Sequence, residues 1–303
     1  MDLHISRPAL IEAFERQGKD ISQSTLQEMR SLVCAQCHVE YYFKGEGKYL
    51  TFPWDKGMTI EAAEEYYDSY EYTDYIHALS RTPILKAQHP DFELSQMGIH
   101  AQRGVACADC HMPYISENGV KFSDHHIRSP LAEMNRTCQI CHRQSEETLR
   151  KNVFERQRKC EEVRDQLEEV LTRAHIEAAF AWEKGAAEAQ MQPILKLIRQ
   201  AQWRWDYSVA SHGASFHAPQ EVVRIMSNGI ARAMEARLEL ARVLAQNGYS
   251  EPVPMPDIST KEKAQKYIGL DMEQLHKDKE RFMKEVAVKW VEEAKASEGL
   301  LTK

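Results

Sequence analysis

The sequence has no run near the ~18 consecutive apolar residues that a membrane-spanning helix requires, so no membrane span is expected. Its first thirty residues lack a basic stretch followed by an apolar one, so no secretory signal is read there. Long blocks of one charge sign are missing too. The 39 Lys and Arg against 46 Asp and Glu give a net charge of −7 without clustering, which excludes a nucleic-acid or anionic-membrane footprint. Strand-like alternation is scarce, and nothing repeats except one short cysteine motif. What remains is a chain of 303 residues, long enough for one large or two small domains with a real core.

Cysteine is sparse but ordered. The seven fall at Cys34/Cys37, Cys107/Cys110, Cys138/Cys141 and a lone Cys160. A disulfide scaffold is expected in a much shorter secreted chain, which leaves zinc, thioredoxin-like chemistry or haem for the C-x-x-C pairs. Each pair is followed at once by histidine: His38, His111 and His142. With 13 histidines in 303 residues, chance would do this roughly once in ten thousand. In c-type attachment the two thiols add to the haem vinyl groups and the next residue places an imidazole under the iron. Zinc ribbons pair two C-x-x-C elements, so three leave one over, and they need no histidine at the fifth position. A thioredoxin motif belongs in a βαβ setting, which is absent here. Covalent haem c at three sites is the reading that uses every residue of the motif: Cys34, Cys37 and His38; Cys107, Cys110 and His111; Cys138, Cys141 and His142.

An electron-carrying haem usually closes its second axial position with His or Met. The remaining histidines are His4, His77, His89, His100, His125, His126, His175, His212, His217 and His276. His89 (before Pro90), His100 (after Gly98) and His217 (before Pro219) lie in loop-like sequence, where a ligand can be aimed freely.

The expected fold class is mainly α, a multihaem cytochrome c fold with long C-terminal helices and with haems filling the interior in place of much of a conventional core. Residues 1–146 form a haem-binding region and residues 147–303 a long-helix region. Thr59 is a helix N-cap for a stretch ending near Tyr75. From Glu146, Val153, Cys160, Val163, Leu167 and Val170 mark the stripe of a long amphipathic helix, with Cys160 as a buried core thiol. Pro193 is read as opening a second helix toward Trp205. A third follows Pro219, carries Val223, Met226, Ile230 and Met234, and stops near Gly248. A fourth covers roughly 260–296.

The segments CAQCHVEYYF, LKAQHP, GIH, CADCHMP, SDHHI, CQICH and FHAP, in this order over about residues 30–220, resemble the ammonia-forming cytochrome c nitrite reductases. The resemblance implies a periplasmic pentahaem enzyme that reduces nitrite to ammonium with six electrons. An electron-donating cytochrome or quinol dehydrogenase would supply them, and the long helices would pair in a homodimer. It further implies calcium held by Glu40, Tyr41, Lys86 and Gln88, with Tyr41 and His89 in the substrate pocket. Calcium favours oxygen ligands, so Lys86 could offer only its carbonyl. By the same carry-over His100 closes the iron at Cys138/Cys141 and His217 the iron at Cys107/Cys110. His125 serves a haem not encoded here, with His126 as its adjacent competitor. His4, His77, His175, His212 and His276 match no ligand motif.

The family's catalytic haem is held by C-x-x-C-K, which this sequence lacks. A further C-x-x-C-H site, a pocket arginine and the distal histidine for the haem at Cys34/Cys37 are missing with it. The simplest account is the C-terminal part of a longer reductase, inactive by itself. The alternative is a three-haem electron-transfer protein without its own catalysis, and a weaker one is a multihaem hydroxylamine or sulfur-oxyanion reductase.

Overall fold

The computed structural model describes residues 5–301, with only the backbone for 298–301; His4 therefore lies outside the described residues. Two compact units are present, Met1–Glu251 and Pro252–Lys303. The fold is mainly α.

The first unit begins with α1 (Pro8–Arg16) and α2 (Leu26–Ala35). A capping box starts α2: Glu28 N donates to Thr25 Oγ1 at 3.2 Å and Thr25 N donates to the Glu28 carboxylate at 2.7 Å. The buried side of these helices packs Leu10, Ala13, Leu32 and Ala35 against Val39, Phe52, Trp54 and Phe92. A hairpin, β1 (Tyr42–Lys44) with β2 (Tyr49–Thr51), leads to α3 (Ile60–Ser69). Thr59 caps α3 as expected, accepting from Ala62 N at 3.1 Å. The helix stops at Ser69, short of Tyr75, because Glu71 takes the left-handed conformation at φ 50°. Tyr75 instead begins β3 (Tyr75–Ile76), paired with β4 (Pro83–Ile84). Three short helices follow, α4 (Asp91–Gln96), α5 (Ile99–Gln102) and α6 (Cys107–His111), and then the hairpin of β5 (Tyr114–Glu117) with β6 (Val120–Ser123).

The long helices come next: α7 (Glu146–Glu183), α8 (Glu188–Ala210), the short α9 (Ala214–His217) and α10 (Pro219–Gln246). Ser145 caps α7, and Val153, Cys160 and Leu167 are buried along it. Pro193 does not open α8. That helix starts five residues earlier, where the Gln190 side chain accepts from Ala187 N at 2.8 Å, and Pro193 stands inside it. On α10 the buried face is Val222, Ile225, Met226, Gly229, Ala233, Ala236 and Leu240. Of the expected stripe only Met226 is buried, and Met234 is 49% exposed. Small residues win this face because the helices pass so close: a Cβ at Gly229 would lie 2.9 Å from Leu167 and 3.2 Å from Arg204.

Compactness does not follow the residue-146 boundary, because buried polar bonds tie the long helices to the segment before it. Arg204 on α8 forks onto Glu64 of α3 at 3.1 Å, Arg199 reaches Asp68 at 3.1 Å, and His175 on α7 bonds Ser80 Oγ at 2.8 Å. In the second unit the expected single helix is broken into α11 (Lys261–Tyr267), α12 (Met272–Phe282) and α13 (Val288–Leu301). Gly269 at φ 76° makes the first break, and a π-turn at Met283–Ala287 joins the last two.

Candidate haem and cation sites

All three C-x-x-C-H motifs curl into a helical turn. His38 N donates to Cys34 O at 3.0 Å, His142 N donates to Cys138 O at 2.8 Å, and Cys107–His111 is α6 itself. One such turn sets two thiols three residues apart on one side with the imidazole next to them, as attachment to a single porphyrin requires. The first two motifs adjoin. Arg30, one turn before Cys34, donates to Asp109 at 3.0 Å and to Tyr114 Oη at 3.0 Å, pinning α2 to α6. With free thiols, the hydrogen bond between Cys34 and Cys107 pushes Cys34 up and Cys107 down to about 6. Burial pushes Cys110 up to about 11.

Burial differs among the six thiols of the motifs. Cys37 is exposed and so is Cys141, whereas Cys34, Cys107, Cys110 and Cys138 are half-buried. Both exposed thiols are the second cysteine of their motif, and the histidines that follow them, His38 and His142, are exposed as well. The cause at Cys37 is the turn's facing: its buried residues are Ala35 and Val39, which point into the core with Leu32 and Phe92, so the 37–38 pair points outward. At Cys141 the cause is position, since residues 141–148 are exposed throughout and only α7 beyond them returns to the core.

The rings of His100 and His142 face each other with centroids 6.2 Å apart and planes at 80°, and those of His111 and His217 stand 6.3 Å apart at 76°. Two imidazoles on opposite sides of one metal come to roughly this spacing, since each metal–nitrogen bond is ~2 Å. His100 stacks on Phe216 at 5.5 Å, and His217 is mostly buried with a buried Nδ1 lacking a hydrogen-bond partner among the described residues. Burial lowers the pKa of both His100 and His217, which keeps them neutral and able to ligate. His111 Nδ1 lies 3.1 Å from Arg128 O, an arrangement that leaves Nε2 as the free nitrogen. These residues fit haem at the second and third motifs.

His38 is placed differently. Its ring lies 4.5 Å from that of His89, and its Nδ1 is 3.5 Å from Asp91. No ring contact involves His125 among the described residues. Its neighbour His126 has Nδ1 2.8 Å from Asp124.

Glu40 and Gln88 do meet. The Glu40 carboxylate is buried, accepts from Tyr67 Oη at 2.8 Å and from Gln88 N at 2.7 Å, and has no cationic partner among the described residues. Glu93 lies beside it: its Oε1 accepts from Glu40 N at 2.9 Å and from Trp54 Nε1 at 2.7 Å, while its buried Oε2 has no partner among the described residues. Burial pushes Glu40 well up, with Glu93 and Asp74 adding to the effect, and lifts Glu93 to about 8. Lys86 turns its side chain outward and presents its carbonyl, which accepts from Gln88 Nε2 at 3.4 Å. Buried carboxylates short of positive charge, with the 86–88 segment held to one of them through Gln88 N, offer the oxygen ligands that calcium takes. Tyr41 follows Glu40, half-buried with its ring on Phe43 at 5.9 Å.

His89 is half-buried, and burial lowers its pKa. Its Nδ1 is 2.8 Å from Asp91, without the in-line geometry of a full hydrogen bond, and its ring contacts that of His212 at 6.0 Å. Sequence reasoning missed Asp91, Glu93, Tyr67 and His212. Only the acidic start of α4 hinted at the first two.

The sequence model of the cytochrome c552 family matches residues 1–298. The chain is 76% identical over 301 residues to cytochrome c-552 of Porphyromonas gingivalis, covering 99% of this chain and 60% of that protein. It is 70% identical over 303 residues to cytochrome c-552 of Bacteroides thetaiotaomicron, covering 100% of this chain and 62% of the relative. The chain thus spans about three fifths of the length of these relatives. Among solved structures, the catalytic subunit of cytochrome c nitrite reductase from Desulfovibrio desulfuricans, described with two calcium sites, superposes with a TM-score of 0.74. That match has 32% identity over 81% of this chain and 56% of the other. The haem-motif turns, the facing imidazole pairs and the match over nearly the whole chain agree: this chain belongs to the cytochrome c552 family.

Proposed function

We propose that this chain forms the three-haem, calcium-binding part of a periplasmic nitrite reductase that makes ammonium. The observation that carries the reading is the meeting of Glu40 with Gln88, which sets His89 one residue beyond a buried acidic cluster. Cys34/Cys37/His38, Cys107/Cys110/His111 and Cys138/Cys141/His142 would hold haem c, which supplies electron transfer when bound; His217 and His100 would be further ligands for the second and third, and His125 would serve a haem not held by these motifs.

Nitrite reduction to ammonium and two waters takes up six electrons and eight protons, so the pocket must donate protons repeatedly. His89 can hold and release one, and Tyr41 can hydrogen-bond a small ligand. Calcium on Glu40, Gln88 and the Lys86 and Tyr41 carbonyls would fix the two loops that carry these side chains and offset the buried negative charge. The sequence has no C-x-x-C-K site, so the chain alone is expected to relay electrons and not to form ammonium. Exposed Met234 and Leu238 on α10 support pairing of the long helices between two copies. An electron-donating cytochrome or quinol dehydrogenase is the proposed donor.

The test is expression with an export signal and haem-maturation machinery. Denatured protein should keep the mass of three haems, and nitrite-dependent oxidation of reduced viologen to ammonium should appear only at the full length of the relatives. Zinc without porphyrin would overturn the first part. Ammonium formation by the isolated chain at the full-length rate would overturn the second and favour an enzyme complete in this chain.

A further inference from the structure

One carboxylate joins three segments of the site. Asp91 is the first residue of α4, with its side chain 13% exposed. Its Oδ2 lies 2.8 Å from His89 Nδ1 and 3.5 Å from His38 Nδ1. Its Oδ1 accepts from Ser211 Oγ and, at 3.5 Å, from Gly213 N. The turn so clamped carries His212, whose ring meets that of His89 edge to face at 6.0 Å. The two oxygens therefore divide the work, one toward ring nitrogens and one toward the 211–213 turn.

We infer that Asp91 is the positioning residue of this pocket: it fixes the His89 imidazole by Nδ1 so that Nε2 is the nitrogen left for a substrate, and it anchors the turn behind that ring. The inference rests on the proposed role of His89. A carboxylate on one imidazole nitrogen sets the tautomer and aims the other nitrogen, which is worth about ten- to a hundredfold when such a partner is removed from a histidine at a metal site. Pro90 between the two residues, and Asp91 N donating to His89 O at 2.7 Å, make the hinge short and stiff. His38 competes for the same oxygen: its Nδ1, at 3.5 Å, has hydrogen-bond geometry to Asp91 where the nearer His89 Nδ1, at 2.8 Å, stands off-line, but His38 is 55% exposed and held more loosely. Phe92 N donates to His38 O at 2.8 Å, so α4 stays docked on the first haem motif whatever the residue at 91.

Asp91→Asn separates the two functions, since its amide oxygen can still accept from Ser211 while its NH2 group cannot accept from His89. In the haem-loaded enzyme at the full length of its relatives, this variant should lower kcat for nitrite about tenfold with little change in KM. The loss should vanish in a His89→Ala background, because the two residues act as one unit. In the crystal structure of the haem-loaded Asp91→Asn chain the His89 ring should have swung away, with the 211–213 turn in place and the three haem reduction potentials unshifted. Three results would each overturn the inference: an unmoved His89 ring, a full kinetic loss on top of His89→Ala, or a shifted potential at the Cys34/Cys37 haem with His89 in place. His89→Ala without effect on nitrite turnover would instead remove the proposed role of His89, and the ring position in Asp91→Asn would still decide the positioning claim.

Discussion

A side chain at Gly98 would put its first carbon 1.8 Å from the carbonyl oxygen of His217. Gly213 also stands close to this residue, where a Cβ would lie 2.3 Å from Cε1 of the His217 imidazole. Two glycines distant in sequence thus leave the space in which His217 faces His111, and Gly98 also opens the helix that carries His100.

Gly98→Ala should therefore displace His217, because the obstructing atom is backbone and cannot rotate aside. The haem-loaded variant should keep three covalent haems by mass, since attachment depends on cysteines, yet show one low-spin haem converted to high-spin in its electron paramagnetic resonance spectrum. An unchanged low-spin complement would refute the placement of His217 as the second ligand at Cys107/Cys110.

Glu40 gives a test of the calcium reading. A ligand that binds only the native state stabilises it by RT ln(1 + [L]/Kd), about 2.7 kcal/mol at a hundredfold excess over Kd. The melting temperature of the haem-loaded chain should rise with calcium and fall with a chelator, and Glu40→Gln should abolish most of that dependence. Equal calcium dependence in the variant would place the ion elsewhere.

His175 should make stability depend on acid. Burial, with His77 stacked on it at 3.9 Å, holds it down to about 3, against ~6.5 in an unfolded chain. Between these values the unfolded chain binds a proton that the native fold refuses. The contribution of His175 to stability should hence fall as pH drops from ~6.5 toward ~3, by at most ~1.4 kcal/mol per pH unit, and stay level above. His175→Gln should flatten this slope relative to the parent in urea titrations run across that range; identical slopes would exclude His175 as the cause.

Arg204 and Glu64 are both buried, joined by two bonds of 3.1 Å, with Arg204 also donating to Asn228. Arg204→Met strands the Glu64 carboxylate and should cost about 3–5 kcal/mol in denaturant unfolding. Adding Glu64→Leu should recover much of that loss. A cost under about 1 kcal/mol for the single variant would mean that the carboxylate takes up a proton or water at no penalty.

The sequence by itself determined the chemistry that is local. The turns at the C-x-x-C-H motifs, the Thr59 and Ser145 caps and the long helix after Glu146 were legible because each depends on residues within a turn or two of one another. The resemblance paired His100 with the third motif and His217 with the second, and in space the ring of His100 lies near that of His142 and the ring of His217 near that of His111. Only tertiary structure decided what depends on meeting. The motif spacing is identical at all three sites, yet Cys37 and Cys141 are exposed and Cys110 is not, because what surrounds a turn is set by chain segments far from it. The buried face of α10 follows close helix packing at Gly229 more than its largest apolar residues, and Asp124 pairs with His126. Asp91 and Glu93 are two acidic residues of one short helix, indistinguishable by type from solvated ones. The fold brings one to His89 and Ser211 and the other to Trp54 and Glu40, and the cost of burying a carboxylate among such partners is what gives each of them a role.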